Sequence, residues 1–116
     1  MTSEKNEVFE LRVYRAAPGK RELLEARFRD HTMALFARHG LRVVNFWVAL
    51  DAAGDPTDTL VYVLGFDDRA AAEAAWTAFR TDPDWLAVRE ASEADGPLVT
   101  TLESTYLAST DFAPPA

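Results

Sequence analysis

The sequence predicts an α+β fold in which a four-stranded antiparallel sheet carries its helices on one face. Apolar residues alternate with polar ones along short segments, as in half-buried strands, and between those segments they recur at helical spacing. Pro, Gly and Asp residues separate the segments and mark where elements end. The chain has 116 residues and a hydrophobic content of 48%, which suits one ordinary domain with its own core. We expect a single domain with an ordered core over about residues 7–108.

The first predicted strand, from about Val8 to Arg15, has one apolar face and one polar face. Alternate residues are Phe9, Leu11 and Val13 on one side and Glu10, Arg12 and Tyr14 on the other. Such a strand can lie in the middle of a sheet only if both of its sides are covered. We therefore expect helices on one side and a partner or a ligand on the other.

The first predicted helix follows the break at Pro18-Gly19. Its apolar positions recur at helical spacing, while charged residues fall largely on the opposite side. The apolar set is Leu24, Phe28, Thr32, Leu35 and Phe36, with Leu23 alongside. The helix should end at His39-Gly40, where Gly supplies the left-handed conformation that closes many helices and His39 acts as a charged cap.

Two further strands are predicted next. Residues 41–50 are predicted to form the second strand. The segment is too short to be another helix and is rich in β-branched and aromatic residues. A polar turn over residues 51–58 leads to a third strand, Thr59 to Phe66, which is apolar at nearly every position. Near-continuous apolarity predicts burial on both faces of that strand.

The second half of the chain predicts two helical segments and a last strand. Asp67 or Asp68 caps a helix from Ala70 to about Arg80, with Ala72, Ala75, Trp76 and Phe79 on its inner face. Pro83 restarts a short helix that continues to about Ala94. Residues 98–107, rich in Thr and Val, predict the fourth strand, and a Pro-containing tail follows.

The predicted order of strand, helix, strand, strand, helix, strand is the ferredoxin-like arrangement. Right-handed crossovers then place the first and third strands in the centre of the sheet, with the helices on one face. The other face is left bare and partly apolar, which is rare on a soluble monomer. We expect a homodimer in which two sheets pack face to face.

Composition excludes several classes of partner. A formal net charge of −7 and scattered basic residues argue against nucleic acid and against an anionic membrane surface. The absence of cysteine removes disulfides and thiolate chemistry. The polar start of the chain does not resemble a signal peptide, and no apolar run is long enough to span a bilayer. We expect a cytoplasmic protein.

Five short motifs, spread over almost the whole chain, resemble the NIPSNAP family. They are the Glu-Leu-Arg-Val-Tyr strand running into Pro-Gly-Lys over residues 9–20, His39-Gly40 leading to Phe46-Trp47, Asp82-Pro83-Asp84-Trp85, the late Glu103, and the tail Asp111-Phe112-Ala113-Pro114. The tail departs from the Thr-Pro-Phe-Ser-Pro pattern that is more frequent in the family. The resemblance implies the dimeric α+β barrel superfamily, which includes small monooxygenases, polyketide cyclases, lactone isomerases and haem-dependent enzymes.

The polar face of the first strand is the first candidate site. Glu10, Arg12 and Tyr14 stand roughly 6–7 Å apart along one side of a strand. They could form an ion-pair and hydrogen-bond ladder at the dimer interface or the sheet rim. Alternatively, Arg12 binds a carboxylate or enolate and Tyr14 donates a proton to a carbonyl substrate. The sequence places no obvious base beside the phenol.

The two histidines are the second candidate site. His31 and His39 would lie roughly 12 Å apart along a helix, so they cannot share a metal ion without carboxylate ligands, and we expect no metal site. His31 lies beside Phe28 and Leu35 near the core edge. It is either a boundary histidine or a proton-transfer group.

A set of aromatic and amide side chains is the third candidate site. Asn45 and Trp47 share one face of the second strand, and Tyr62 lies on the third. Such a density of aromatic residues usually belongs to a core. If the sheet and helices are slightly parted, the same residues line an apolar pocket with a few polar points. The predicted substrate-binding set is Asn45, Trp47, Tyr62, Trp76 and Phe28.

Two function hypotheses follow. The first is a cofactor-independent enzyme of secondary or degradative metabolism that holds an apolar, carbonyl-bearing metabolite, with His31 or Tyr14 as proton carrier and Arg12 beside them. Its reaction would be a cyclisation, isomerisation, dehydration or oxygenation; nucleotide-binding and hydrolase motifs are missing from the sequence. The second is a non-catalytic, dimeric ligand-binding or protein-interaction module. A cavity reached by His31 and a tyrosine would favour the enzyme, and a packed interior with His31 exposed would favour the module.

Overall fold

The computed structural model describes residues 7–115. Its elements are β1 (Val8–Ala16), α1 (Arg21–Arg27), α2 (Met33–Arg38), β2 (Arg42–Leu50), β3 (Pro56–Phe66), α3 (Arg69–Arg80), α4 (Pro83–Ser92) and β4 (Val99–Leu107). All strand pairs are antiparallel, and the strand order across the sheet is β2-β3-β1-β4. The predicted α+β, ferredoxin-like fold is confirmed. The largest difference in boundaries is that β3 begins at Pro56 rather than at Thr59.

A π-helical turn, Phe28–Thr32, joins α1 to α2 and makes residues 21–38 one continuous first helix. The residues at positions 24, 28, 32 and 36 are all buried, and a strict four-residue step is longer than the 3.6 residues of an α-helical turn. In a continuous α-helix, positions four residues apart would gradually rotate away from the sheet. The π-helical turn is wider and corrects this rotation, so the buried positions keep facing the sheet. Thr32 Oγ1 donates a hydrogen bond to the carbonyl of Arg27 at 3.3 Å inside the turn. The sequence pattern did not predict it, because apolar spacing alone cannot distinguish the two helix types.

The helices cover one face of the sheet, and the core lies between the two layers. β3 contributes Leu60, Tyr62 and Leu64 to this buried side. The inner face of α3 is formed by Ala72, Ala75, Trp76 and Phe79, as its spacing predicted. Gly40 has a φ of 82° after the first helix, which confirms the predicted left-handed position. Among residues 7–115, no helix is long and apolar enough to cross a membrane.

The opposite side of the sheet, here called the open face, is apolar on its central strands and has no helix over it in the described chain. Strand pairing places on it Phe9, Leu11, Val13, Trp47, Val61, Val63 and Leu107, with the polar residues Asn45, Glu103 and Thr105 beside them on the outer strands. Trp47 is 48% exposed and Leu107 is 41% exposed. The sequence left open which set of β1 residues faces the helices. The structure places the polar set, Glu10, Arg12 and Tyr14, beneath them.

Asp82 connects the end of the first helix to the start of α4. It caps α4, where its Oδ1 accepts a hydrogen bond from the Asp84 backbone N–H at 2.8 Å. Its Oδ2 lies 2.6 Å from His39 Nε2 and accepts a bond from Arg38 at 2.8 Å. His39 is the residue that closes the first helix. The hydrogen bond from His39, followed by those from the Asp84 backbone and Arg38, lowers the pKa of Asp82 from 3.8 to about 2.

The lowered pKa of Asp82 predicts a specific loss of stability in acid. A carboxylate whose pKa is depressed by folding stabilises the protein fully above its unfolded value, and that contribution disappears as pH falls through the folded value. We compare the wild type with Asp82→Asn, which keeps a capping side chain but removes the charge. The difference in their free energies of unfolding should be largest above about pH 4 and should shrink towards about pH 2, as measured by urea unfolding.

Asp58→Asn, at an exposed position of β3, is the control for loss of one negative charge. If its stability difference from the wild type followed pH in the same way, the acid sensitivity would not belong to Asp82.

Candidate functional site

A buried arginine lies beneath the helices at the centre of the sheet. Arg12 is 6% exposed. Its guanidinium donates from Nε to Tyr62 Oη at 2.8 Å, from Nη1 to Glu10 Oε2 at 2.8 Å and from Nη2 to Tyr14 Oη at 2.9 Å. The same group lies 4.2 Å from the centre of the Trp76 ring, within the range of a cation–π contact. Arg12 is therefore held on three edges by hydrogen bonds and packs against an aromatic ring.

Glu10 is ionised and fully engaged. Its Oε1 accepts from Trp76 Nε1 at 2.6 Å, and its Oε2 accepts from Ser104 Oγ at 2.6 Å as well as from Arg12. Burial alone would raise the pKa of Glu10, but the hydrogen bonds from Ser104, Trp76 and Arg12 outweigh it and hold the pKa below its usual value. With three donors on two oxygens, Glu10 balances the Arg12 charge and does not serve as a free base.

The two tyrosines beside Arg12 share one hydrogen bond. Tyr62 Oη donates to Tyr14 Oη at 2.8 Å, and each oxygen also accepts from Arg12. Burial raises the pKa of Tyr62 well above its usual value, so its proton stays in place. Tyr62 is 0% exposed, whereas Tyr14 is 9% exposed. The Tyr14 hydroxyl has no acceptor for its own proton among residues 7–115, which leaves it available as a donor.

A cleft of about 380 Å³ opens beside this network, between the β1–β4 side of the sheet and the helices α3 and α4. We call it the arginine cleft. Its lining includes Arg12, Tyr14, Arg27, Trp76, Phe79, Arg80, Trp85, Arg89, Glu93, Val99 and Leu102. The volume lies within the range of small-molecule sites, which combine aromatic walls with a few polar groups. Tyr14 lines this cleft and Tyr62 does not, so the available phenolic proton lies on the accessible side.

The structure brings together some of the predicted site residues. Arg12, Tyr14 and Trp76 line the arginine cleft. Tyr62 and Phe28 are buried next to it, with ring centres 5.4 Å apart. The interpretation of Glu10, Arg12 and Tyr14 as a ladder at the dimer interface or sheet rim is corrected, because all three lie under the helices. Alternation along a strand defines two faces but does not say which one the helices cover.

Asn45 and Trp47 lie apart from the arginine cleft. Phe46, between them in sequence, stacks on Tyr62 with ring centres 4.6 Å apart on the helix side. Its neighbours therefore belong to the open face, where they pair with Val63 and Val61. The Asn45 side chain accepts a hydrogen bond from the backbone N–H of Phe46 at 2.8 Å.

His31 also lies away from the arginine cleft. It is exposed and lines an outer groove between the first helix and α4, together with Asp30 and Val88. Thr32, the next residue, takes the buried position in the π-helical turn. The structure does not bring His31 near the tyrosines.

Several residues of the site were not predicted. Ser104 completes the shell of Glu10 from β4, and the mouth of the cleft contains Arg80 and Arg89. Ser104 on β4 is paired with Arg12 on β1. Its place in the site could be predicted only once the register of these two strands is known. Arg80 occupies the last turn of α3, where a basic residue is ordinary.

Two other features define the surroundings of the site. A groove of about 400 Å³ lies between the first helix and the edge of β2, and it brings together two of the predicted pocket residues, Phe28 and Trp47. Its polar lining residues are Glu25 and Arg29, and no tyrosine lines it, so it has no phenol donor like Tyr14. Over residues 7–115, no three His, Asp or Glu side chains are grouped as a metal ion would require.

The buried pair of Arg12 and Glu10 predicts a large effect of removing only one partner. Arg12→Met should lower the free energy of unfolding by about 3–5 kcal/mol, because Glu10 would remain buried without its counterion. The double variant Glu10→Leu/Arg12→Met should lose less, since no buried charge remains. Urea unfolding at a fixed protein concentration measures both.

Arg21→Met is the matched control, because Arg21 pairs with Glu25 near the surface. It should cost less than about 1 kcal/mol. A single Arg12→Met variant as stable as the double variant would show that Glu10 does not depend on Arg12.

Comparisons with known proteins identify the family and the fold of this chain. The chain matches the NIPSNAP family model over residues 9–114. No curated protein matches the sequence significantly. An uncharacterised NIPSNAP-like domain protein from Burkholderia xenovorans is similar in structure, with a TM-score of 0.82, 17% identity, and coverage of 97% of this chain and 92% of that one. A NIPSNAP family protein from Agrobacterium tumefaciens is also similar, with a TM-score of 0.79, 21% identity, and coverage of 93% of this chain and 97% of that one.

A more distant similarity extends the fold beyond the family. SnoaB, a cofactor-independent oxygenase from Streptomyces nogalater, has a TM-score of 0.63 and 21% identity, covering 95% of this chain and 99% of SnoaB. At this identity the similarity concerns the fold alone. The match over residues 9–114 includes the whole sheet except Val8 and every residue of the arginine cleft, and this chain belongs to the NIPSNAP family.

Proposed function

We propose that the chain forms a homodimer through its open face and binds a small, apolar, carbonyl-bearing metabolite in the arginine cleft. In this proposal Trp76, Phe79 and Trp85 contact the apolar body of the ligand. Tyr14 donates a hydrogen bond to the carbonyl oxygen, and Arg12 lies directly behind Tyr14.

One observation carries the ligand-binding proposal: Arg12 and Tyr62 both hydrogen-bond to the Tyr14 oxygen, and Tyr14 is the one of the two tyrosines that lines the cleft. A phenol oriented from behind by Arg12 and Tyr62 is a fixed donor, so little ordering is needed when a ligand oxygen arrives. The positive charge of Arg12, 2.9 Å from the phenol oxygen, would stabilise negative charge that develops on that ligand oxygen.

This arrangement supports chemistry that needs an oxyanion or enolate to be stabilised but needs no cofactor. Cyclisation, isomerisation and dehydration of a substrate acidic enough to lose a proton to water are such reactions, and so is its oxygenation with dioxygen as the co-substrate. Tyr14 is then the proton carrier, because His31 lies on the outer surface. Arg12 and Tyr62 act through Tyr14 as positioning residues.

The second candidate function is a non-catalytic, dimeric ligand-binding or protein-interaction module. Two observations favour it over catalysis: His31 is exposed, and both oxygens of Glu10 are occupied by donors. The cavity itself is reached by a tyrosine but not by a histidine. Ligand turnover, measured after binding has been established, separates an enzyme from a module.

The open face supports the dimer part of the proposal. Its central residues, Val13 and Val61, are paired neighbours on β1 and β3 and are only half-buried. Phe9, Leu11 and Val63 continue the patch on the two central strands. A contiguous apolar surface of this kind marks an interaction site in soluble proteins. A second copy would cover it with an identical surface, as two-fold symmetric dimers do.

The binding proposal is tested with 2-acetylnaphthalene, a flat apolar ketone, by isothermal titration calorimetry. The wild type should bind it, and Leu102→Trp should not, because Leu102 lines the arginine cleft. Leu86→Trp is the matched control: Leu86 and Leu102 are both 48% exposed, but Leu86 lies on α4 outside the lining. Tyr14→Phe should weaken binding by about two- to tenfold, the effect of one lost hydrogen bond.

Tyr62→Phe provides the comparison for Tyr14→Phe, because it also removes a phenol bonded to Arg12 but does not line the cleft. Its affinity should fall less than that of Tyr14→Phe, because Tyr62 orients Tyr14 but does not contact the ligand itself. If both phenylalanine variants lost affinity equally, Tyr14 would be a structural residue and not a ligand donor.

The dimer proposal is tested by native mass spectrometry. The wild type should be a dimer, and Val61→Asp should be monomeric, because it places a charge in the centre of the open face without a partner. Leu86→Asp, on the helical side, should remain dimeric. A monomeric wild type would overturn the dimer proposal, and a dimeric Val61→Asp variant would place the interface elsewhere.

A further inference from the structure

We propose that the ligand of the arginine cleft carries an anionic head group, a carboxylate or a planar oxyanion of similar size, bound by Arg80 and Arg89 at the mouth. This inference rests on the proposed function and specifies the class of ligand. Its basis is the concentration of positive charge around one opening. Among the lining residues, four arginines stand against one carboxylate, Glu93. The whole chain has the opposite balance, with 12 basic and 19 acidic residues.

The two inner arginines already have counterions. Arg12 pairs with Glu10 at 2.8 Å, and Arg27 pairs with Glu93 at 3.1 Å. Arg27 also donates to Ser92 at 3.1 Å and lies over the Trp85 ring, 5.1 Å from its centre. These two guanidiniums are neutralised and fixed, so they contribute to the wall of the cleft more than to its net charge.

The two outer arginines are not neutralised in this way. Arg80 forms no ion pair within residues 7–115, and its guanidinium lies 5.1 Å from the centre of the Trp76 ring. Arg89 approaches Glu93 only at 3.7 Å, on a carboxylate that Arg27 already contacts. The mouth therefore carries excess positive charge in a protein of net charge −7, and such a local potential attracts anions.

The chemistry of the guanidinium favours a planar oxyanion. Its fork of N–H donors matches the two oxygens of a carboxylate, and such charge-assisted bonds are stronger than neutral ones. The helix dipole accounts for a basic residue at the end of α3. It does not account for the gathering of Arg80 with three other arginines around an aromatic-walled cleft. A ligand with its anion at the mouth and its flat body against Trp76 would point towards Tyr14.

The test compares two probes of nearly the same shape, 2-naphthoate and 2-acetylnaphthalene, by isothermal titration calorimetry at neutral pH. The acid should bind at least about tenfold more tightly than the ketone, as expected for a charge-assisted hydrogen bond. Added salt should reduce this preference while leaving ketone binding nearly unchanged. In Arg80→Gln/Arg89→Gln the preference should fall to about twofold or less, with ketone affinity retained.

The control is Arg69→Gln/Arg42→Gln, which changes the net charge equally. Arg69 stacks on Tyr106 at 3.8 Å at the other end of α3, and Arg42 pairs with Glu7; neither lines the cleft. It should keep the preference for the acid. Equal binding of acid and ketone to the wild type would overturn this inference and leave the proposed function standing, whereas no binding of either would overturn both. An equal loss of preference in the two double variants would overturn the assignment to Arg80 and Arg89.

Discussion

The requirement that the buried Arg12 charge be satisfied organises the inner layer of this protein. A guanidinium with five N–H donors cannot lie under two helices unless acceptors surround it. Glu10, Tyr14 and Tyr62 supply those acceptors, and they come from the two central strands of the sheet. Burial alone would lower the pKa of Arg12, but the surrounding tyrosine and glutamate oxygens raise it above its usual range. Arg12 therefore stays charged in the core.

The same network explains how a structural element also becomes a candidate site. Each side chain of the network makes at least two contacts with the others. Tyr14 is therefore fixed in position, and its hydroxyl can point in only a few directions. Trp76 belongs both to the network, through its bond to Glu10, and to the wall of the cleft. A ligand in the cleft would thus meet groups that are already ordered, which reduces the entropy cost of binding.

The two faces of the sheet divide the roles of the molecule. The helix side combines a polar network with aromatic residues and contains the cleft, while the open face presents branched aliphatic residues on its central strands. A one-residue shift in the register of β1 would exchange these sets and place Glu10 and Arg12 on the open face. The bulge between Val43 and Asn45 in β2 keeps Phe46 on the helix side, where it stacks on Tyr62. The pairing of strands therefore decides both the site and the candidate interface.

The sequence by itself determined the order of the elements, the antiparallel sheet with its helices on one face, and most buried positions of both long helices, because these follow from local periodicity. Leu23, expected alongside the apolar set of the first helix, is instead 56% exposed. It also singled out Arg12, Tyr14 and Trp76, since a charged residue on a central strand must have a function or a partner. Only the tertiary structure decided which face of β1 the helices cover, that Asn45 and Trp47 lie on the other side, and that His31 is exposed. The π-helical turn, Ser104 and the arginines at the mouth of the cleft likewise became visible only in three dimensions. The physical reason is twofold. Alternation along a strand is symmetric between its two faces, so it does not say which face is covered. Contacts between distant segments, such as Glu10 with Ser104, depend on strand register and packing, and local sequence patterns carry no information about either.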